Sequence, residues 1–221
     1  LNGIAEGSWD NHGDMDLTGK LQLFESQVTW SGEEAQLRLP LRDAVAEWNW
    51  IDDSLVGSFS LNLAGQGSVQ GEWQLPLPAR FPTNFNPQGP LRVSLDGKLQ
   101  SIGILSAISP WFAQEVRGKT ELTVEVLGTW ADPDLGGQLS FNNGGAYIPA
   151  TGIQLEDIQL SAELSDNRLR IEELALRSGP GSITGKGEVT FDGWALTGYQ
   201  LDLVGEKLQV VNFPELHVLA S

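Results

Sequence analysis

The stretch Gly128-Thr129-Trp130-Ala131-Asp132-Pro133-Asp134-Leu135-Gly136-Gly137-Gln138-Leu139-Ser140-Phe141 opens the part of the chain that decides the fold, which runs on to Phe191. Pro133 fixes its own φ and holds Asp132 extended. Gly136 and Gly137 then permit a reversal. Beyond it, Leu139 and Phe141 fall on one face of a strand, with Gln138 and Ser140 on the other. Asn142-Asn143-Gly144-Gly145 reads as a second reversal, being rich in residues that tolerate positive φ. Leu155, Ile158, Leu160, Ala162 and Leu164 follow, and Ser165-Asp166-Asn167 turns the chain into Leu169-Arg170-Ile171. Ser178-Gly179-Pro180-Gly181 leads into Ile183 to Phe191. Strand follows strand, and no amphipathic helix intervenes to cover the apolar face.

Upstream the same alternation holds. Leu17, Gly19, Leu21 and Leu23 share one face, and so do Ala35 to Leu41, Phe59-Leu61-Leu63, Val69 to Leu77, Leu91 to Leu99, and Leu122-Val124-Val126. Period-two alternation over this much chain means sheet with one wet and one dry face. At ordinary strand lengths it amounts to roughly 15 strands. The phrases Leu17-Thr18-Gly19-Lys20-Leu21, Leu95-Asp96-Gly97-Lys98-Leu99 and Ile183-Thr184-Gly185-Lys186-Gly187 recur at unequal spacing, which excludes a strict solenoid repeat. Glycine at a strand centre marks a bend or a close approach of backbones, as a strongly curved sheet requires. Two regions depart from the pattern. Pro76, Pro78, Pro82, Pro87 and Pro90 make residues 76–90 an extended connection and a candidate sub-boundary. In Ser101 to Val116, the spacing of Ile104, Leu105, Ile108, Trp111 and Phe112 predicts one or two helical turns.

The chain has 221 residues, 40% of them apolar, enough for one large all-β domain or two small ones. It has no cysteine, so disulfides and thiolate sites are excluded. A net charge of −16 repels nucleic-acid phosphates and sets nucleic-acid binding aside. No run approaches the length of a membrane-spanning helix. The chain opens on Leu1 rather than methionine and is expected to be an excised piece of a longer protein.

Catalytic and metal constellations are weak. Asp10, Asp14 and Asp16 around Gly13 do not follow the spacing of an EF-hand, and a solvated turn is the preferred reading. His12 and His217 are the only histidines and stand far apart; they support neither a Ser-His-Asp triad nor a metal site. With 29 acidic residues, pairs such as Asp52-Asp53 arise by chance, so a glycosidase dyad is not indicated. No cofactor, metal or catalytic residue is expected, and neither is hydrolysis of glycosides, esters or phosphoesters. Among the eight tryptophans, Trp48 and Trp50 share a face and make the best candidate carbohydrate platform, against the commoner role of filling a β core.

Periodicity leaves three architectures open: a closed barrel, a sandwich of two sheets, or a groove filled by a ligand. A resemblance adds to this. Gly128-Thr129 with Pro133 and Gly137-Gln138-Leu139, Ala146-Tyr147-Ile148-Pro149-Ala150-Thr151-Gly152-Ile153, Ser178-Gly179-Pro180-Gly181, Gly185-Lys186-Gly187 and the segment Glu206 to Leu216 resemble the C-terminal domain family of TamB, the inner-membrane subunit of the translocation and assembly module, within the AsmA-like superfamily. The resemblance is best from about Ile102 to Ser221. It implies an all-β fold: a long, strongly curved, mostly antiparallel sheet forming a U-shaped groove with an apolar interior, of which residues 1–221 are a segment. It further implies a periplasmic conduit carrying phospholipid between inner and outer membrane, in a parent protein anchored in the inner membrane of a diderm bacterium. An Omp85-family barrel would be its outer-membrane partner, and phospholipid acyl chains its cargo. The candidate groove lining is Leu122, Val124, Val126, Leu139, Phe141, Leu160, Leu164, Val189, Phe191, Leu201 and Leu203. The alternatives are an assembly factor for outer-membrane β proteins, acting by strand addition, and a carbohydrate-binding β module. Unpaired edge strands are expected to promote self-association of the chain.

Overall fold

In the computed structural model, residues 2–9, 15–31, 36–51, 53–79, 84–100, 114–213 and 216–220 are described. Among them are fourteen strands: β1 (Asn2–Trp9), β2 (Met15–Ser31), β3 (Gln36–Ile51), β4 (Ser54–Leu63), β5 (Gly67–Leu75), β6 (Arg92–Leu99), β7 (Gln114–Gly128), β8 (Pro133–Ile148), β9 (Ile153–Ser165), β10 (Arg168–Ser178), β11 (Gly181–Asp192), β12 (Ala195–Glu206), β13 (Leu208–Phe213) and β14 (Leu216–Ala220). There is no helix among the described residues. The helical turns expected near Ile104–Phe112 lie outside them, as do Asp10, His12 and Asp14.

β1 to β12 form one antiparallel sheet in which every strand pairs with its neighbours in sequence, and β1 does not meet β12. The sheet is therefore an open meander and not a closed barrel. β13 and β14 pair only with each other, and β13 comes against β9, β10 and β11. β5 and β6 are joined by the proline-rich connection and pair directly, Gly67 opposite Leu99 through Gln74 opposite Arg92.

The register carries one apolar face across all twelve strands, because residues directly opposite in a ladder project to the same side. From β4 to β8 the row Leu61, Val69, Gly97, Leu122, Leu139 runs unbroken. It continues through Ala162 and Ile171 to Gly187 and Leu201. Three residues along the strands, the row Glu47, Ser58, Glu72, Ser94 and Glu125 occupies the opposite face. The apolar side chains are buried or half-buried along β7 to β9, whereas residues 115, 117, 119, 121, 123 and 125 of β7 are all exposed.

Bulges keep this face continuous where the alternation slips. In β10 the register shifts between Ile171 and Leu174, so that Leu174 rejoins the side of Leu169 and Ile171. In β9 Asp157 takes φ 51° and restores Ile158 and Leu160 to the apolar side. A bulge also increases local twist and bends its strand, and shifts of this kind recur in β3, β7, β8, β9, β10 and β12. The sheet curves accordingly. Asn167, at the β9–β10 tip, accepts the Leu135 N–H on Oδ1 at 3.0 Å and the Phe191 N–H on its carbonyl at 2.9 Å. One residue thus draws the start of β8 and the end of β11 together, although two strands lie between them.

Two expected reversals are corrected. The chain turns at Thr129–Asp132, before Gly136 and Gly137, and both glycines lie inside β8. Asn142 to Gly145 is not a turn either, since β8 runs through it with a bulge at Asn143, φ 53°. The reversal comes at 149–152, where the Ile148 carbonyl accepts the N–H groups of Thr151 and Gly152. The turns at Ser165–Asn167 and Ser178–Gly181 form as expected, with Asp166, Asn167 and Gly179 at positive φ.

Candidate functional site

The apolar face is built by pairing large side chains with glycines. The Trp48 indole covers Gly19 on the neighbouring strand, and the Trp73 indole covers Gly57. A Cβ on Gly71 would lie 2.7 Å from Phe59 Cε1, and one on Gly185 2.5 Å from Leu203 Cδ2. Phe141 spreads over Gly118 on one side and Gly144 on the other. Several of the strand-centre glycines are clearances for large side chains. Two of the three Leu/Ile-x-Gly-Lys phrases place their glycine beneath a large side chain, Gly19 under Trp48 and Gly185 under Leu203.

All eleven candidate lining residues fall on this one face. Leu122 stands opposite Leu139, Val126 opposite Leu135, and Val124 opposite Gly137, which in turn faces Leu164. Phe141 faces Leu160, and Leu164 leads through Leu169 to Val189. Leu201 and Leu203 on β12 face Gly187 and Gly185. Their environments differ. Val126 is buried in a cluster with Leu91 and Leu135, against which Val124, Leu164 and Phe191 pack. Leu201 and Leu203 are 49% and 52% exposed, because β12 is the last strand of the sheet. The face also extends well beyond the eleven. Leu41, Ala44 and Leu63 form a second buried cluster towards the other end of the strands, joined by Leu23, Leu61 and Leu99. The alternation upstream of residue 100 already carried the signal for these positions.

Buried polar atoms without partners interrupt the apolar face, Ser26 Oγ opposite Leu41 among them. Thr120, 8% exposed, stands opposite Phe141, and its hydroxyl has no hydrogen-bond partner. The Trp50 Nε1 is likewise buried and unpartnered. Trp48 and Trp50 do share a face, as expected, but both are half-buried within the sheet's apolar side rather than forming an exposed platform.

The opposite face is polar and solvated. A cavity of about 820 Å³ opens on it across β1 to β6, lined by Glu6, Lys20, Glu47, Glu72 and Arg92 among others. Lys20 pairs with Glu47 at 2.5 Å, both side chains about half exposed. A second cavity of about 640 Å³ lies among Arg170, Glu172, Lys186, Glu188 and Asp202. A twisted sheet is saddle-shaped, so each face is hollow along one diagonal. Charges that alternate in sign and stay in water make few net contributions to stability. Among the described residues, no group of three or more His, Cys, Asp or Glu could hold a metal ion.

Sequence reasoning missed an aromatic cluster at one end of the sheet. Phe85 and Trp130 meet edge to face with ring centroids 5.4 Å apart, and Trp130 and Trp194 lie 5.0 Å apart at 41°. The Trp194 Nε1–H donates to the Trp130 carbonyl at 2.8 Å. The three residues stand in separate connections, 45 and 64 residues apart in sequence (130 − 85 and 194 − 130), so no local pattern could have joined them.

The fold and both faces define a class of protein by architecture alone: an open, curved antiparallel sheet with one apolar and one polar side. Comparison of the chain with protein-family models, with curated proteins and with solved structures finds no match.

Proposed function

We propose that this chain is a segment of a conduit that carries phospholipid acyl chains along an apolar β-sheet face between two membranes, in support of outer-membrane biogenesis. The observation that carries the reading is the apolar face itself, continuous across an open twelve-stranded sheet against which, among the described residues, only the short β13–β14 hairpin comes, with β13 near β9, β10 and β11. Eleven strand spacings of about 4.8 Å make that path roughly 53 Å long. An acyl chain crossing water exposes about 0.8 kcal/mol per CH₂, or about 13 kcal/mol for a chain of roughly 16 carbons. A continuous apolar lane removes most of that cost, and rows of similar side chains let the lipid advance from strand to strand without a deep well to hold it. The task asks for no reactive group and no head-group pocket. The resemblance set out from the sequence supports the same reading, together with a periplasmic location, an inner-membrane-anchored parent and an Omp85-family barrel as partner.

The absence of cysteine makes a direct test simple. Single cysteines carrying a photo-crosslinker are placed at Leu139 and Leu164 on the apolar face and at Thr123 and Gln138 on the polar face. Phospholipid adducts at the first pair and not the second are expected after illumination in the presence of vesicles. Equal labelling of the two faces, or none, would remove the conduit. A second reading, assembly of outer-membrane β proteins by strand addition, draws on the unpaired outer edges of β1 and β12. Crosslinks from these edges to an unfolded β-barrel polypeptide, with no lipid adducts on the apolar face, would favour it.

A further inference from the structure

The aromatic cluster at the sheet end is not used by the apolar face. In a meander, alternate turns emerge at the same end. The β5–β6, β7–β8 and β11–β12 connections therefore meet there, bringing Phe85, Trp130 and Trp194 together. The arrangement is braced. The Ala131 N–H donates to the Pro87 carbonyl at 2.9 Å, the Leu91 N–H to the Gly128 carbonyl at 2.9 Å, and Thr129 bridges to Pro90. The Trp194 indole is locked by its bond to the Trp130 carbonyl. Yet the rings are 43%, 44% and 49% exposed. The three rings pack on one another and still leave close to half of each residue in solvent.

The chemistry around them selects a ligand. Asp132 and Asp134 follow Trp130 in sequence, Asp192 precedes Trp194, and all three residues are exposed. No lysine or arginine occurs in residues 84–91, 128–135 or 191–195. The one indole N–H of Trp194 is already spent on the protein. The surface therefore offers aromatic rings with negative quadrupoles close in sequence to exposed aspartates, with Arg92 next to Leu91 and Arg168 next to Asn167 as adjoining cations, and this favours cations over anions. A simple alkali ion gains little by leaving water, whereas an organic ammonium brings apolar methyl or methylene groups to the rings together with its charge. We propose that Phe85, Trp130 and Trp194 form a binding platform for an alkylammonium group, such as the choline or ethanolamine moiety of a lipid head group or of a free small molecule. The site is separate from the apolar face and stands or falls without the conduit reading.

The test uses the whole chain, with the indole N–H signals of Trp130 and Trp194 followed by NMR during titration with tetramethylammonium chloride. Saturable shifts confined to these two indoles are expected, with no matching shifts from neopentyl alcohol, the neutral compound of the same shape. Trp130→Ala should weaken binding roughly two- to fivefold, as loss of one exposed cation–π partner predicts. Asp132→Asn with Asp192→Asn, which leaves every ring in place, should weaken it while the thermal midpoint stays unchanged. Soluble phosphocholine and phosphatidylcholine vesicles then separate the sources. Binding of both points to a lipid head group, and binding of phosphocholine alone points to a free metabolite. The proposal is overturned if neopentyl alcohol binds as well as the cation or if glucose oligomers shift the same signals in its place. It is also overturned if vesicles bind while tetramethylammonium and phosphocholine do not.

Discussion

At the scale of single residues, the glycines and the rings above them carry the clearest consequences. Gly144 has no side chain because Phe141 occupies the space, and a Cβ there would also lie 2.7 Å from Ile158 Cβ. Gly144→Val should destabilise the protein by about 1–3 kcal/mol, the usual cost of overpacking. Part of the effect, the share due to the ring rather than to Ile158, should be recovered by combining it with Phe141→Ala. The single Phe141→Ala, which opens a void, should itself cost about 3 kcal/mol. A double-mutant cycle by chemical denaturation measures the coupling; strictly additive changes would mean the ring does not rest on the glycine. Thr120 gives a prediction of opposite sign. Its buried hydroxyl lacks a partner, so Thr120→Val, which keeps the shape and removes the unpaired group, should raise stability by about 1 kcal/mol in the same assay.

At the scale of the strand, position in the sheet decides what a charge costs. Val126 and Leu203 lie on the same face, but β7 has neighbours on both sides and β12 on one. Val126 is 7% exposed and sits in a packed cluster, so Val126→Asp must strand a carboxylate among Leu91, Leu135 and Val93 and should abolish cooperative unfolding. Leu203→Asp places its charge in water and should shift stability by under about 1 kcal/mol. Circular dichroism melts of the two variants distinguish these outcomes; equal damage at both would mean that the face is sealed. Strand existence was legible in the sequence because period-two alternation survives along every ladder. Reversals were less so. Gly136, Gly137 and Asn142 to Gly145 read as turns, since glycine and asparagine supply positive φ, yet within β8 Gly137 gives room to the Thr123 carbonyl of β7, Asn143 makes a bulge and Gly144 clears the Phe141 ring. The eleven lining residues were legible as a face because each follows its own strand's alternation. The Phe85–Trp130–Trp194 cluster was not, because it depends on which turns share an end of the sheet.

At the scale of the molecule, twelve is an even number of strands. In an antiparallel meander β1 and β12 therefore run in opposite directions, and each leaves one ladder edge unpaired among the described residues. A second copy in the same orientation can lay its β1 against β12 and continue the antiparallel pattern without any change of face. That pairing would cover Leu201, Leu203 and Tyr199, the last of which is 80% exposed. It is heterologous, so nothing closes it, and each added copy presents a new β12. The net charge of −16 opposes the approach, but salt screens it over about 8–10 Å near physiological ionic strength, while strand pairing acts at contact. Sedimentation of the chain should therefore show a weight-average mass that climbs with concentration, climbs further with salt, and does not level off at two copies. Leu201→Lys with Leu203→Lys puts two like charges on the edge and should return the chain to monomer with its melt unchanged. A plateau at dimer would instead identify an isologous β12–β12 pair related by a two-fold axis. A strict monomer at high concentration and high salt would show that these edges do not pair.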